Sequence, residues 1–185
     1  MTEHDPACGV AHGSAPAGPV AVGDTPERVL VAGFASPVAG ALLRIGAELG
    51  WRPVLVEPDG DRPAPAGLPA DAVRVTALAE LPGELAGPGA DVVVTDHHRE
   101  ELGVLLRDAL ARPVRWVGIM GNPRHEGPHV AALAGLGVPA ADVARVHRPI
   151  GLDVGSRTPG EIAVATLAGL LADRNGRPGG FFPPT

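Results

Sequence analysis

The chain has 185 residues, a formal net charge of −6 and 15 cationic side chains, all arginine, which form no basic run, so a nucleic-acid-binding surface is not expected. No segment approaches the roughly 20 consecutive apolar residues that a membrane span needs, and the N-terminus lacks a signal-peptide pattern. Because Cys8 is the only cysteine, an internal disulfide and a cysteine-based zinc site are excluded, and we expect one cytoplasmic domain with neither nucleic-acid nor membrane partners.

The chain is expected to begin with a leader and to end with a short tail. Residues 1–26 are rich in proline, glycine and alanine without a sustained period, which is typical of a flexible segment. The folded domain is predicted over residues 27–177, followed by a tail at 178–185. It opens with an apolar run of strand length at 28–33 and a helical pattern that ends before Gly50.

A second predicted strand, residues 53–57, ends in Glu57. An acidic residue about two dozen positions after Gly33, with a strand and helix before it, is the outline of a dinucleotide-binding unit. Gly33 and Glu57 are therefore candidate nucleotide-binding residues, which would make the protein an NAD(P)-dependent oxidoreductase. The segment 33–40 lacks the second glycine of that fingerprint and places Phe34 near the expected pyrophosphate, so a core without a bound nucleotide is equally compatible.

Strand and helix patterns continue to alternate through the rest of the chain. Leu102, Leu105, Leu106, Ala109 and Leu110 give the clearest amphipathic period, within a helix predicted over 99–110. Further strands are predicted at 72–76, 91–95 and 115–120, helices at 128–136 and 159–173, and a turn or short helix at 138–146. This alternation predicts an α/β fold, a Rossmann-like, doubly wound and mainly parallel sheet of about five strands with helices on both faces.

The loop before the last helix combines helix capping with groups suited to an anion. Thr158 and Glu161 form a capping box with Pro159 at the first helical position. The preceding residues supply backbone freedom and donors that suit an anionic ligand, namely Gly151, Gly155, Ser156 and Arg157. An ordinary loop-to-helix entry explains the same residues equally well.

Three polar clusters should meet at the carboxyl ends of the strands, where ligands bind in such sheets: residues 95–98, 121–125 and 147–158. Each also has a structural explanation, since Asp96 suits the N-cap of the helix at 99–110 and residues 122–123 suit a turn. His125 and His129 have the spacing of two metal ligands on one helical face, but Pro128 breaks that geometry. We therefore expect no metal site and solvent-facing histidines.

Two runs carry a resemblance to a known family. Residues 116–121 read Trp-Val-Gly-Ile-Met-Gly, and residues 149–163 read Pro-Ile-Gly-Leu-Asp-Val-Gly-Ser-Arg-Thr-Pro-Gly-Glu-Ile-Ala. Together with Thr95 and the following residues, they resemble the C-terminal Rossmann-like domain of the XdhC/CoxI family of xanthine dehydrogenase accessory proteins. The resemblance covers about residues 91–181 and, more loosely, 28–60.

The resemblance implies a non-catalytic chaperone that binds molybdenum cofactor (molybdopterin) and assists its delivery and sulfuration to a xanthine dehydrogenase-type molybdenum hydroxylase. It implies a set of cofactor-binding residues: Thr95, Asp96, His97, Gly121, Arg124, Gly151, Asp153, Gly155, Ser156 and Arg157. A docking scaffold that binds no cofactor is the remaining alternative.

Two departures from the family pattern qualify that set. The family's Gly-Ser-Arg-Arg after the fifth strand reads Gly-Asn-Pro-Arg here, with one cation fewer. Family members usually carry a small domain before the Rossmann part, so a separate chain is expected to supply it. We also expect a homo-oligomer.

Overall fold

The computed structural model describes residues 27–121 and 127–181. The strands are β1 (Val29–Gly33), β2 (Arg52–Val56), β3 (Val73–Val75), β4 (Ala90–Val94), β5 (Trp116–Ile119) and β6 (Val146–His147). The helices are α1 (Pro37–Glu48), α2 (Leu102–Leu110), α3 (Pro128–Gly135), α4 (Ala140–Val143) and α5 (Pro159–Arg174), with short 3-10 turns at Leu78–Glu80 and Gly83–Ala86. Within these two ranges, no helix combines the length and apolar character of a membrane span.

The six strands form one parallel sheet in the order β3-β2-β1-β4-β5-β6. From β1, the strands β2 and β3 are added on one side. The chain then crosses to the other side of β1 and adds β4, β5 and β6 there, so the strand order reverses between β1 and β4. This is the arrangement in which the loops diverge and leave a crevice at the carboxyl ends of the strands. The predicted Rossmann-like α/β fold is confirmed.

Alternate residues of each strand enter two hydrophobic cores. Leu30 and Ala32 of β1 pack with α1 and α5 on one face, whereas Val29 and Val31 pack with α2 and α3 on the other. Because successive strand side chains point to opposite faces, a sheet covered on both sides needs continuous apolar runs. The strands β1 and β4 are buried along their whole length, and helices cover both faces as expected.

One local prediction is wrong and one is incomplete. The helix predicted from residue 99 begins at Leu102 with Glu101 at its N-cap, and Asp96 instead accepts a hydrogen bond from the backbone N–H of His98, with Oδ1 to N at 2.9 Å. The turn or short helix predicted within 138–146 is confirmed as α4, whereas the strand β6, which begins at the end of that segment, was not predicted. A two-residue strand is too short to give a period, and only its pairing with β5 defines it.

A buried carboxylate joins the elements at the amino edge of the sheet. Asp91, at the start of β4, is fully buried and accepts hydrogen bonds from Trp51 Nε1 at 3.1 Å, Arg115 Nε at 2.6 Å and Arg174 Nε at 2.9 Å. Arg115 also pairs with Asp173 of α5. The Asp91 carboxylate thus links β4 and the residues that precede β2 and β5 to the C-terminal end of α5. At that end, the positive charge of Arg174 also interacts favourably with the helix dipole.

Candidate functional site

The carboxyl edge of the sheet collects residues from four strands. Gly33, Val56 and Val94 lie in register at the ends of β1, β2 and β4, and Ile119 pairs with Val94. The residues that follow these strands, together with Arg148 after β6, therefore form one rim. Thr95, Asp96, His97 and Gly121, which were predicted separately, belong to it.

Where the strand order reverses, the hydroxyl groups of Thr95 and Ser36 form hydrogen bonds with other groups of the protein. Thr95 Oγ1 lies 3.0 Å from the carbonyl oxygens of Gly33 and Phe34, to which it donates, and 2.9 Å from Ser36 Oγ. Since the proton of Thr95 goes to a carbonyl, the Ser36 hydroxyl donates to Thr95 while accepting from Ala39 N–H at 3.0 Å. Thr95 is buried, so its hydroxyl locks the β1–α1 turn.

The first turn of the fold carries a bulky residue in a conformation that favours glycine. Phe34 has φ +71° and is fully buried, directly after β1. Such a conformation costs about 1–3 kcal/mol for a non-glycine residue. The guanidinium of Arg99 lies over its ring, 4.8 Å from the centroid. Phe34 and Arg99 thus fill space where a nucleotide-binding turn would admit a phosphate.

Glu57 lies at the end of β2, as predicted for a ribose-binding acid, but its carboxylate is committed to the protein. It is fully buried and accepts from Ala35 N–H at 2.7 Å, from Asp59 N–H at 3.0 Å and from Arg99 at 2.9 and 3.2 Å. Burial raises the pKa of Glu57, but the bonds from Arg99, Ala35 and Asp59 outweigh it, so the pKa is lowered. A ribose would have to replace Arg99.

A second group of side chains lies on the β5–β6 side of the rim, and we call it the arginine-histidine recess: Arg148 and His129, with His97 within electrostatic reach of Arg148. A Cβ on Gly121 would lie 2.6 and 2.7 Å from Nε and Nη2 of Arg148. A Cβ on Gly127 would overlap His129 Nδ1 and lie 2.9 Å from Cδ of Arg148. The two glycines therefore allow the guanidinium and the imidazole to lie directly against the backbone.

The pKa values of His97 and His129 are both lowered, which favours the neutral form of each imidazole. Burial lowers the pKa of His97, and neighbouring His98 and Arg148 lower it further, against an opposing effect of Asp96. Burial also lowers the pKa of His129, with Arg148 acting in the same direction. His129 is only 7% exposed, and its Nδ1 has no hydrogen-bond partner among the residues that the structure describes. Leaving such a group unsatisfied costs about 1–3 kcal/mol, and the predicted solvent-facing position of His129 is wrong.

The loop from Gly151 to Arg157 divides into a packed part and an exposed part. Gly151 has φ +86°, and a Cβ there would lie 3.1 Å from the α5 backbone at Ala165 and Thr166. Leu152 N–H donates to the Ala165 carbonyl at 3.0 Å. Asp153, Gly155 and Arg157 are exposed and Ser156 half-buried. Gly151 thus packs against the middle of α5, whereas residues 153–157 remain accessible.

The capping box predicted at α5 is confirmed, and its Glu161 carboxylate also accepts a hydrogen bond from the backbone N–H of Arg157, the residue before Thr158. Thr158 Oγ1 accepts from Glu161 N–H at 3.3 Å, while the Glu161 carboxylate accepts from the N–H groups of Thr158 at 3.0 Å and Arg157 at 2.8 Å. These backbone bonds from Thr158 and Arg157 lower the pKa of Glu161. The Arg157 side chain, rather than its backbone, is therefore the part that can reach a ligand.

The predicted residues that the structure describes thus fall into three groups, and Arg124 is outside the described residues. Asp96, His97 and Gly121 lie on the rim, where Gly121 adjoins Arg148, and residues 153–157 lie in the loop before α5. Thr95, Glu57 and Gly151 serve the fold. Prediction missed Arg99 and the buried position of His129, and it included Arg148 only as a member of the cluster 147–158, although an acid at the end of a buried strand signals a paired cation.

Two clefts lie near these groups. An open cleft of about 570 Å³ runs between the start of α1, at Ser36, and the loop after β2, at Asp59 and Arg62. A smaller one of about 270 Å³ lies beside α5 and includes Gly151, Trp116 and His147. Trp116 and His147 stack there with ring centroids 4.9 Å apart.

The model of the XdhC Rossmann domain matches residues 29–170, more than three quarters of the chain. "Uncharacterized protein YqeB" from Escherichia coli (strain K12) is 33% identical over 90 residues, which are 49% of this chain and 16% of that protein. The crystal structure of a xanthine dehydrogenase (BH1974) from Bacillus halodurans superposes with a TM-score of 0.65 at 22% identity, covering 82% of this chain and 45% of that one. The chain thus spans less than half the length of either protein.

Proposed function

The chain belongs to the XdhC family, and on that premise we propose that it binds molybdenum cofactor at the carboxyl edge of its sheet. It then assists delivery of the cofactor to a xanthine dehydrogenase-type molybdenum hydroxylase. The cofactor supplies the redox-active molybdenum of the client enzyme, whereas the chain acts as a chaperone rather than a catalyst.

One observation carries this proposal: the rim places Arg148 and His129 beside glycines after β5 and at the start of α3, with His97 on the same rim. Molybdopterin carries a phosphate and a pterin with several hydrogen-bonding groups. A phosphate favours an arginine fork and N–H donors, and His129 Nδ1 is a buried polar atom that has no partner within 27–121 and 127–181. The donor set therefore fits the phosphate-bearing end of the cofactor.

The exposed loop supplies the outer part of the proposed site. Asp153, Gly155, Ser156 and Arg157 precede α5, whose N-terminus lies at the carboxyl edge because its other end contacts Asp91 at the amino edge. An exposed loop on a rigid sheet can contact both a ligand and a protein that receives it. We propose that these residues cover the cofactor until the client binds.

The proposal includes assistance in terminal sulfuration of the cofactor, with the sulfur donated by another protein. The proposal also includes a partner chain that contributes a further family domain, and assembly of the protein into a homo-oligomer. The mass of the complex formed with the client tests both.

Reconstitution of a cofactor-free molybdenum hydroxylase tests the delivery step. The wild-type protein loaded with molybdenum cofactor is expected to restore hydroxylase activity faster than free cofactor does. The double variant Arg124→Ala/Arg157→Ala is expected to lose most of that advantage, whereas Arg107→Ala, which removes an exposed arginine on α2, should retain it.

Two results would oppose the proposal. Full delivery by the double variant would favour a docking scaffold that binds no cofactor. Tight binding of NAD(H) without cofactor binding would favour a nucleotide-dependent oxidoreductase.

A further inference from the structure

An apolar groove lies between α2 and the segment that follows β3, and its cavity has a volume of about 240 Å³. Three of the side chains that line it are buried, namely Val56, Leu78 and Leu105. Val104 lines the same cavity and is 43% exposed, whereas the other apolar residues of α2 are buried. A single exposed valine is ordinary, but one that is continuous with an apolar cavity forms a patch of the kind that marks protein-interaction sites.

Both ionisable residues that line the groove are acidic. Glu101 and Asp108 lie seven positions apart and therefore on one face of α2. Asp108 pairs with Arg107, with Nη2 to Oδ1 at 2.7 Å. Glu101 pairs with Arg99 at 3.0 Å, but the same guanidinium also pairs with the buried Glu57 at 2.9 Å. Because this guanidinium is shared by two carboxylates, negative charge remains at the rim of the groove.

The surroundings of the groove add to this negative charge. Glu80 accepts a hydrogen bond at 3.1 Å from the backbone N–H of Thr76, which lines the groove, and Glu80 has no ion-pair partner in the described part of the chain. The hydrogen bonds from the side chain and backbone of Thr76 lower the pKa of Glu80, which is therefore ionised at neutral pH. Arg62 lies 3.8 Å from Glu57 but also 3.9 Å from Asp59, so its charge is balanced there. The groove thus combines an apolar interior with an electronegative rim.

We propose that this groove is a docking site for a partner protein that presents one large apolar side chain beside an arginine or lysine. The apolar side chain enters the cavity, and the cation meets Glu101 and Asp108 at the rim. Cavities that bind small molecules usually measure about 300–1,000 Å³, so this one better suits a single side chain. The groove adjoins β3, whereas Arg148 follows β6, at the opposite edge of the sheet. The inference therefore goes beyond the proposed function and requires no cofactor.

The charge of the rim also distinguishes a partner protein from other segments of this chain. Residues 1–26 contain three acidic side chains and neither arginine nor lysine, and residues 182–185 contain no charged side chain. Neither segment complements an acidic rim. We therefore place the cation on a different protein, and the experiment below tests a second copy of this chain as the alternative.

Titration of the full chain with short capped peptides, followed by nuclear magnetic resonance, tests the inference. The probe peptide carries one phenylalanine between two arginines, and it is expected to shift the methyl resonances of Val104 and Leu105 in a saturable manner. Replacing its phenylalanine by alanine should weaken binding roughly tenfold, and replacing both arginines by glutamate should abolish it. Unchanged methyl resonances with the probe peptide, or equal binding of the glutamate peptide, would overturn the inference.

Two variants, each with a matched control, locate the binding site. Val104→Ala should weaken binding of the probe peptide roughly threefold to tenfold, whereas Val130→Ala, at an exposed valine of α3, should leave it unchanged. Asp108→Asn should weaken binding roughly twofold to fivefold, whereas Asp142→Asn, at an exposed ion pair of α4, should not. Affinity equal to that of the wild type in both Val104→Ala and Asp108→Asn contradicts the inference.

Two other occupants of the groove are tested in parallel, by titration with adenosine and by sedimentation of the protein alone. Adenosine that shifts the methyl resonances of Val104 and Leu105 when the probe peptide does not would identify a nucleoside pocket and overturn the inference. Self-association of the wild type that Val104→Ala abolishes would overturn it as well, because the groove would then hold a second copy of the chain.

Discussion

Glu57 shows how one acidic residue at a familiar position can serve the fold instead of a ligand. Its carboxylate is fully buried and accepts two hydrogen bonds from backbone N–H groups and two more from the guanidinium of Arg99. An uncompensated buried carboxylate would be strongly destabilising, so Arg99 is the condition for its burial. The same pair brings the guanidinium over Phe34 and closes the turn after β1.

We expect Glu57→Gln to lower the free energy of unfolding at pH 7 by about 2–4 kcal/mol, since it leaves the partly buried Arg99 with only the more exposed Glu101 as a carboxylate partner. The folded-state pKa of Glu57 is lowered, so its contribution is present above the unfolded-state value near 4.5 and is lost as the pH falls through the folded-state value. Urea unfolding of both proteins should therefore show the stability difference shrinking below about pH 4.5.

Glu48→Gln on α1 is the matched control, because its pair with Arg44 is exposed. It should change stability by less than about 0.5 kcal/mol. A Glu57→Gln difference that stays constant down to pH 3 would contradict the role of the ionised carboxylate.

At the scale of elements, the passage from β6 to α5 combines features that local sequence predicts with one that it does not. The capping box at Thr158 and the glycines that follow α1 and α5 are local patterns, and the structure confirms them. The role of Gly151 depends on a contact with Ala165, which lies 14 positions away and joins it only in the folded chain. A glycine in such a loop therefore looks like a ligand-binding residue until its packing is known.

Gly151→Ala is expected to destabilise the protein by about 2–4 kcal/mol, because it adds both an unfavourable positive φ and overlap with the α5 backbone. Gly155→Ala shares the positive φ but meets nothing within 4 Å, so it should cost only about 1–2 kcal/mol. Thermal and urea unfolding of the two variants provide the comparison. Equal losses would mean that the approach of Gly151 to α5 contributes nothing.

At the scale of the whole molecule, the two edges of the sheet have different chemistry. The amino edge holds Asp91, which accepts hydrogen bonds from Trp51, Arg115 and Arg174 and so unites distant parts of the chain. The carboxyl edge holds Arg148 and histidines whose charged forms are disfavoured. The amino edge therefore serves stability, whereas the carboxyl edge combines the buried Glu57–Arg99 pair with the side chains for which we propose a ligand, at the edge where ligands bind in parallel sheets.

Asp91→Asn tests the stabilising role of the amino edge. We expect it to lower the free energy of unfolding by about 3–5 kcal/mol, because two partly buried arginines lose their shared carboxylate. Asp108→Asn, which removes the partner of the exposed Arg107, should cost less than about 1 kcal/mol. Urea unfolding at pH 7 measures both, and a small Asp91→Asn effect would refute the central role of this carboxylate.

The sequence predicted the doubly wound sheet because its strands are continuous apolar runs between amphipathic helices. It did not predict β6, whose two residues have no period, nor the pairing of Glu57 with Arg99, which lies 42 residues away, nor the burial of His129. Pairings between distant side chains depend on how the loops pack, and a single sequence does not contain that information. For this reason the role of Arg99 and the contacts of Arg148 emerge only from the structure.

Direct binding of molybdenum cofactor tests the central claim most closely. Cofactor released from a molybdenum enzyme would be incubated anaerobically with the full chain, and the protein fraction from gel filtration would be assayed for bound pterin and molybdenum. We predict stoichiometric retention by the wild type and by Arg107→Gln, with at least about a tenfold loss of affinity in Arg148→Gln. Absence of cofactor from the wild-type fraction, or equal retention by folded Arg148→Gln, would contradict the account.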